Sequence, residues 1–449
     1  MSASERPWSG RRIHFVGVGG AGMSGYARAA RALGAEVSGS DRAASSYSER
    51  LAADGVLRAL VGHRADNVPP GQDVEVVYSS AVAAENPERQ AARERGLRER
   101  PRAQLLAELT ALRRTIAVAG THGKTTTASM LTHALLAAGL EPGWLVGADI
   151  GGGLPNGEWG RGEWLVVEAD ESDRSMLSLE VEIGLLTNVE LDHHATFASL
   201  AELREAFAQF LVRARRANVV WDRPQLLALA AGGAELVPYD APDVRLAPGG
   251  GSLLAWRGHE LRLAVPGAHN AVNAAGALEA ARLAGAREDA AVAALAGFRG
   301  AARRFQALGA SASGALVYDD YAHHPTEVAA TLAGARSLEH TRLVAVFQPH
   351  LFSRTAMLAR EFGRALAHAD VVVVLDVYPA RERAQDHPGV SGLLIAAAAA
   401  DAAHGRPVYW LPTFAAAEPA LRGMLRAGDV CVVMGAGDVD RLSRALVAS

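Results

Sequence analysis

The sequence predicts an α/β protein of three domains, each built on a mainly parallel sheet. Its 449 residues exceed what a single core ordinarily organises. Apolar β-rich runs alternate along the chain with segments of helical spacing, as in parallel sheets joined by crossover helices. Glycine-rich turns stand between a strand and a helix at residues 17–22 and again at 120–123. Together these signals divide the chain near 1–105, 106–305 and 306–449.

The first domain opens with the apolar run RIHFVGV (12–18), the helical stretch GGAGMSGYARAARALG and a second strand, AEVSGSD (35–41). VEVVYSSAV (74–82) and the helical ENPERQAARERG (85–96) continue the alternation. GVGGAG (17–22) satisfies the GxGxxG spacing after a strand, and Asp41 ends the next strand, near the ~20-residue separation used to hold a ribose hydroxyl. That geometry recognises a diphosphate on a helix N-terminus, so it suits NAD(P) and a UDP-sugar equally. Its bland counterpart is a glycine turn needed only for tight strand–helix packing.

The second domain begins with the strand TIAVAG (115–120) running into GKTTTASMLTHALLAAG, whose apolar spacing is helical. WLVVEAD (164–170), IGLLTNVE (183–190) and ANVVWD (217–222) read as buried strands, with a helix between the last two. Residues 241–265 read as a hairpin at the edge of this domain. GTHGKTTT (120–127) is the strongest single signal: glycines let successive N–H groups surround phosphate oxygens, Lys124 neutralises charge, and Thr125 can hold magnesium. The loop is a variant of GxxxxGK[ST], because Val118 stands where the first glycine would be. Lysine and arginine total 45, and Lys124 is the only lysine among them. In so arginine-rich a chain, a lysine persists where a compact ammonium does what a planar guanidinium cannot.

Carboxylates follow the loop at strand ends in EADESD (168–173) and ELDHH (190–194). Magnesium favours oxygen ligands, so Thr125, Glu168 and substrate phosphates make a suitable set. Acids at strand ends are often only caps or solvated groups. Their crowding after consecutive strands, where α/β proteins place their sites, argues for more.

The third domain follows RRFQ (303–306), with strands ALVYDDYA, RLVAVFQPH, DVVVVLDVY and DVCVVMGAG separated by helical segments such as LLIAAAAADAAHG. HNAVN (269–273), DDYAHHPTE (319–327) and QPHLFSR (348–354) are polar clusters at strand or helix ends. Each alone reads as a cap, a turn or a surface ion pair. The single cysteine, Cys431, reads as a buried strand residue.

A net charge of -4 gives no general attraction to nucleic acid or a membrane. No run reaches the roughly 18 apolar residues of a membrane span, and MSASERPWSGRR lacks a signal peptide's apolar core. A cytoplasmic monomer or homodimer is expected. Two phosphate-binding turns in different domains call for two phosphorylated ligands, which a simple NAD(P)-dependent oxidoreductase does not need.

GTHGKTTT, EADESD, TNVELDH, PGAHNAVN, RRFQ, DDYAHHPTE and FQPHLFSRT, in this order and over nearly the whole chain, resemble the Mur ligases. The resemblance implies a UDP-binding Rossmann-like N-terminal domain, a P-loop ATPase-like central domain and a Rossmann-like C-terminal domain. The opening HFVGVGGAGMSG, with SGSD and SSAV, implies a particular activity: ATP phosphorylates the lactyl carboxylate of UDP-N-acetylmuramic acid, and L-alanine attacks the acyl phosphate. On this basis Gly120, Thr121, His122, Gly123, Lys124, Thr125 and Thr126 form the ATP loop, and Thr125, Glu168 and His193 hold magnesium. His269, Asn270, Asn273, Arg304 and Asp320 match groups on the ATP side. Gly19, Ala21, Gly22, Asp41, Ser79, Ser80 and Ala81 match the UDP-sugar side. His323, His350 and Arg354 match the amino-acid region, where Arg354 can pair with the alanine carboxylate. With Lys124, Glu168 and His193, His323 and Arg354 make up the catalytic set.

The chain departs from relatives in three places. Leu351 follows the QPH triplet where some relatives carry arginine. Asp192–His193–His194–Ala195 stands where DHxD is frequent. A carbamylated lysine holding a second metal is impossible when Lys124 is the only lysine. The competing readings are a ligase of the same family that attaches a ready-made tripeptide, an NAD(P) oxidoreductase, and a catalytically silent homologue.

Overall fold

The structure, a computed structural model, describes residues 6–194, 196–247 and 250–448; Ala195 of the altered DHxD segment lies outside them. The chain forms two compact units, Met1–Asp240 with Asn273–Ala294, and Ala241–Val272 with Leu295–Ser449.

The first unit contains two sheets. β1 (Arg12–Val16), β2 (Glu36–Asp41), β3 (Leu60–Val61), β4 (Val74–Tyr78) and β5 (Arg98–Pro101) form a parallel sheet in the order β3-β2-β1-β4-β5. Strand order reverses at β1, the Rossmann arrangement that opens a crevice beyond the carboxyl ends of β1 and its neighbours. Val16 pairs with both Ser40 and Tyr78, so the turns after β1 and β4 leave the sheet at one level. Helix α1 (Ala21–Ala32) begins at Gly20 with no capping side chain and no acidic residue in its first turn. It buries Met23, Tyr26, Ala27, Ala29 and Ala30 in the core that also holds Phe15 and Val77. Helices α2 (Ser46–Ala53), α3 (Pro87–Glu94) and α4 (Arg102–Ala111) complete this layer.

The second sheet comprises β6 (Arg114–Ala119), β7 (Gly143–Leu145), β8 (Gly157–Glu158), β9 (Trp164–Glu168), β10 (Val181–Leu186), β11 (Ala214–Trp221) and β12 (Glu235–Tyr239). Its order is β12-β11-β10-β6-β9-β7-β8, parallel except for β8. β6 is central and fully buried from Ile116 to Ala119, which explains its unbroken apolar run. Four residues separate the end of β6 from helix α5 (Lys124–Ala137). The two sheets are tied together: the Asn156 amide donates to the Ala21 carbonyl and to Ser24 Oγ. Gly25 and Gly157 also pack so closely that a Cβ on Gly157 would lie 2.6 Å from Gly25 Cα.

The second unit starts with a small antiparallel sheet, β13 (Arg245–Leu246), β14 (Ser252–Trp256) and β15 (His259–Leu263), where a hairpin was expected. It groups with the last sheet, and the helix Pro325–Ala335 packs Gly334 against Gly267. That sheet contains β16 (Gln306–Ala310), β17 (Leu316–Asp320), β18 (Arg342–Phe347), β19 (Val371–Val374), β20 (Val408–Trp410) and β21 (Asp429–Met434). The order is β16-β17-β21-β18-β19-β20, with only β16 antiparallel. Cys431 is buried in β21, where burial pushes its thiol up to about 12. Among the described residues, no helix is long and apolar enough to cross a membrane.

Candidate active site

The loop between β6 and α5 is fixed by the segment that follows β10. Thr121 donates its N–H to the Asn188 carbonyl and its hydroxyl to the Glu190 carbonyl, at 3.1 and 2.9 Å. The Asn188 side chain accepts from His122 N and donates to its carbonyl, both at 2.9 Å. Gly120 has φ +131°, and a Cβ there would fall 2.0 Å from Thr187 Oγ1. Gly123 caps α5 in the left-handed region at φ +83°, with Asn273 Oδ1 2.8 Å from where its Cβ would stand. These two positions need glycine for conformation and space together.

Lys124 Nζ donates to the carbonyls of Gly120 and Thr121 at 2.6 and 3.1 Å and lies 2.9 Å from Glu171 Oε2. Glu171 is completely buried. Burial works against the Lys124 charge, but Glu171 and Asp170 outweigh it and raise the ammonium above the ordinary lysine range. The lysine therefore stays cationic. Thr125 Oγ1 donates to Glu168 Oε2 at 3.1 Å, and Gly147 N–H meets the other Glu168 oxygen. His193, in the left-handed region at φ +54°, places Nε2 3.2 Å from Glu171 Oε1. Burial lowers its imidazole, and Glu171 and Asp192 more than compensate, so it sits above the ordinary histidine range. Thr125 meets Glu168 directly, and His193 joins Lys124 through Glu171.

On the first sheet, Gly19 N–H donates to Asp41 Oδ2 at 2.8 Å, and Ser45 Oγ donates to the Gly19 carbonyl at 2.8 Å. Asp41, expected to hold a ribose hydroxyl, thus also fixes the glycine turn. Gly17 at φ +87° packs on Ser79, whose hydroxyl accepts from Ala81 N–H at 3.4 Å. Ala21 and Gly22 lie in the first turn of α1, and Ser80 lies in the turn beyond β4.

In the second unit, His269 and Asn270 lie in the first turn of the helix Ala268–Leu283, the Asn270 amide donating to the Pro266 carbonyl at 2.6 Å. Burial pushes the His269 imidazole down to about 4, against the pull of Glu327. Asp320 accepts from the N–H groups of Phe305 and Ala322, both at 2.7 Å, and burial pushes its carboxyl up to about 6 despite Arg304. Arg304 also lies 5.0 Å from the Tyr321 ring centroid. His350 is central to the remaining residues, 6.0 Å from the His323 ring and 3.3 Å from Arg354 Nη1. Arg354 is 5% exposed, which removes the surface-ion-pair reading. Leu351 takes φ +70° at the cap of the helix Phe352–Leu366, turning the chain between His350 and Arg354.

The sequence reading missed Glu171, Asn188, Glu190, Ser45 and Asn156. Three of these stand inside motifs already singled out, EADESD and TNVELDH, but no spacing rule distinguishes a buried partner from its solvated neighbours. Ser45 and Asn156 act through contacts distant in sequence and carry no local signal.

A parallel sheet whose central strand runs into a glycine loop, a lysine and a helix, with a carboxylate on the adjacent strand end facing the loop threonine, defines a phosphate-loop nucleotide-using protein. Comparisons with known proteins sharpen this. Family models described as Mur ligase family, catalytic domain; Mur ligase middle domain; and Mur ligase, glutamate ligase domain match residues 12–114, 118–281 and 303–437. A UDP-N-acetylmuramate–L-alanine ligase of Kineococcus radiotolerans is 47% identical, over 95% of this chain and 94% of its own. The solved UDP-N-acetylmuramate–alanine ligase of Thermotoga maritima superposes with a TM-score of 0.82 at 28% identity, covering 97% of this chain and 98% of its own. A murein peptide ligase of Psychrobacter arcticus gives 0.74 at 26% identity, over 98% and 99%. The chain belongs to the Mur ligase family.

Proposed function

We propose that this chain is a cytoplasmic ligase that uses ATP to join L-alanine to the lactyl carboxylate of UDP-N-acetylmuramic acid through an acyl phosphate, a step of peptidoglycan synthesis. The observation that carries the reading is end-to-end likeness to L-alanine ligases, one of them 47% identical, with the Lys124 loop intact. We further assign the UDP-sugar to 1–105, ATP to 106–305, and the remaining contacts to 306–449.

Thr125 Oγ1 and Glu168 Oε2, 3.1 Å apart, offer the hard oxygen donors that suit magnesium, with the His193 imidazole as a less usual third ligand. Bound there, magnesium would neutralise charge on the transferring phosphoryl oxygens. Lys124 supplies a fixed positive charge, and the N–H groups opening α5 supply oriented dipoles. No protein base is needed for the first step, because a carboxylate is already nucleophilic; the chain's task is alignment and charge neutralisation. Gly19, Ala21, Gly22, Asp41, Ser79, Ser80 and Ala81 serve the UDP-sugar. Asn273 borders the ATP loop at Gly123, and His269, Asn270, Arg304 and Asp320 serve ATP from their own segments. His323, His350 and Arg354 serve the amino acid, with the Arg354 guanidinium facing its carboxylate.

The test is acceptor choice. Incubated with ATP, magnesium, UDP-N-acetylmuramic acid and an equimolar mixture of L-alanine and the L-alanyl-γ-D-glutamyl-meso-diaminopimelate tripeptide, the protein should form only the alanine adduct by mass spectrometry. A tripeptide adduct would move the assignment to murein peptide ligation.

A further inference from the structure

Arg102 opens α4 directly after β5, at the carboxyl end of the first sheet from which the Gly17–Gly20 turn also leaves. Its guanidinium reaches the second sheet. Nε and Nη2 lie 3.1 and 2.7 Å from Asp173 Oδ2, and Nη2 lies 2.6 Å from Asp170 Oδ2. The opposite edge faces the glycine turn: Nη1 is 3.5 Å from where a Cβ on Gly22 would stand, and the Tyr26 hydroxyl is 4.0 Å from that point. Only 15% of the side chain is exposed, so this is no mobile surface ion pair. The carboxylates hold one edge of a rigid, planar fork; the other faces the first turn of α1, beside the Tyr26 hydroxyl with which the guanidinium also interacts. Arginine can bind carboxylate on one edge and phosphate on the other, which lysine's point charge cannot do with fixed geometry. Asp170, which holds the fork, also feels the Lys124 charge of the ATP loop.

We propose that Arg102 is a substrate-binding residue, donating Nη1 to the diphosphate of the nucleotide sugar while Asp170 and Asp173 fix its orientation. This rests on the UDP-sugar reading above. A Cβ at position 22 would narrow the space beneath the guanidinium, which gives Gly22 a role apart from backbone conformation.

The experiment is calorimetric titration of wild type, Arg102→Ala and Arg102→Lys with UDP and, separately, with ADP and magnesium, alongside KM for UDP-N-acetylmuramic acid. Arg102→Ala should weaken UDP at least about tenfold, the scale of one charge-assisted hydrogen bond. KM should rise in parallel, while ADP affinity stays within about twofold. Arg102→Lys should fall between, and it carries the test if the alanine variant melts below the assay temperature. Unchanged UDP affinity in the variants would overturn the proposal while leaving alanine-dependent turnover, and hence the ligase reading, intact. Equal loss of UDP and ADP would make Arg102 a tie between the sheets and also overturn it. A wild-type protein that binds no UDP would remove the UDP-sugar reading itself.

Discussion

The Lys124 ammonium lies 2.9 Å from the Glu171 carboxylate, so the chain's only lysine is charge-paired beside its own loop by a fully buried partner. Glu171→Gln strands a largely buried ammonium. Breaking a buried pair by removing one partner costs about 3 kcal/mol, so the variant should melt earlier than wild type. An anionic nucleotide then supplies the missing charge, and ADP with magnesium should raise the variant's melting temperature by more than it raises that of wild type. Equal ligand shifts in thermal scans would contradict this.

Lys124→Arg tests why one lysine persists among so many arginines. Nζ fits between two loop carbonyls and Glu171, at 2.6, 3.1 and 2.9 Å, a space shaped for a compact ammonium. Despite conserved charge, ATP-dependent phosphate release should fall at least about 100-fold, the usual scale for losing a preorganised charge contact. Near-normal release would show that charge alone suffices.

Gly120→Ala should abolish nucleotide binding while leaving the UDP-sugar side intact. The added Cβ would fall 2.0 Å from Thr187 Oγ1, and φ +131° strains any L side chain. Titration with ADP and with UDP separates the two effects, and retained ADP binding would refute the loop geometry.

Away from the site, Glu88 is fully buried and receives His14 Nε2 at 2.9 Å, Ser40 Oγ at 2.6 Å, His63 Nδ1 at 3.0 Å and Asn67 Nδ2 at 2.8 Å. Burial raises its carboxyl, but these four contacts prevail and bring it from 4.5 down to about 2. A depressed folded value contributes stability that is present above pH 4.5 and lost as pH falls through about 2. Between pH 5 and 2.5, urea unfolding of Glu88→Gln should therefore lose about 2 kcal/mol less than wild type. Parallel pH profiles would contradict this.

Much of the architecture is legible because buried parallel strands leave unbroken apolar runs: β6, β10, β18, β19 and β21 each coincide with one. The short strands β3, β7, β8 and β20 are not legible, since two or three residues carry no periodicity and are fixed by their neighbours. In the site, Lys124, Thr125 and Glu168 announce themselves through residue type and position after strands. Glu171 and Arg102 do not. An arginine on two aspartates 68 and 71 positions away looks like any other arginine until the sheets are assembled.

The most direct measurement is the initial rate of phosphate release from ATP with magnesium and UDP-N-acetylmuramic acid, with and without L-alanine, beside Lys124→Ala. Release that depends on alanine and vanishes in the variant is the predicted result. Release indifferent to alanine, or equal in the variant, would contradict the account.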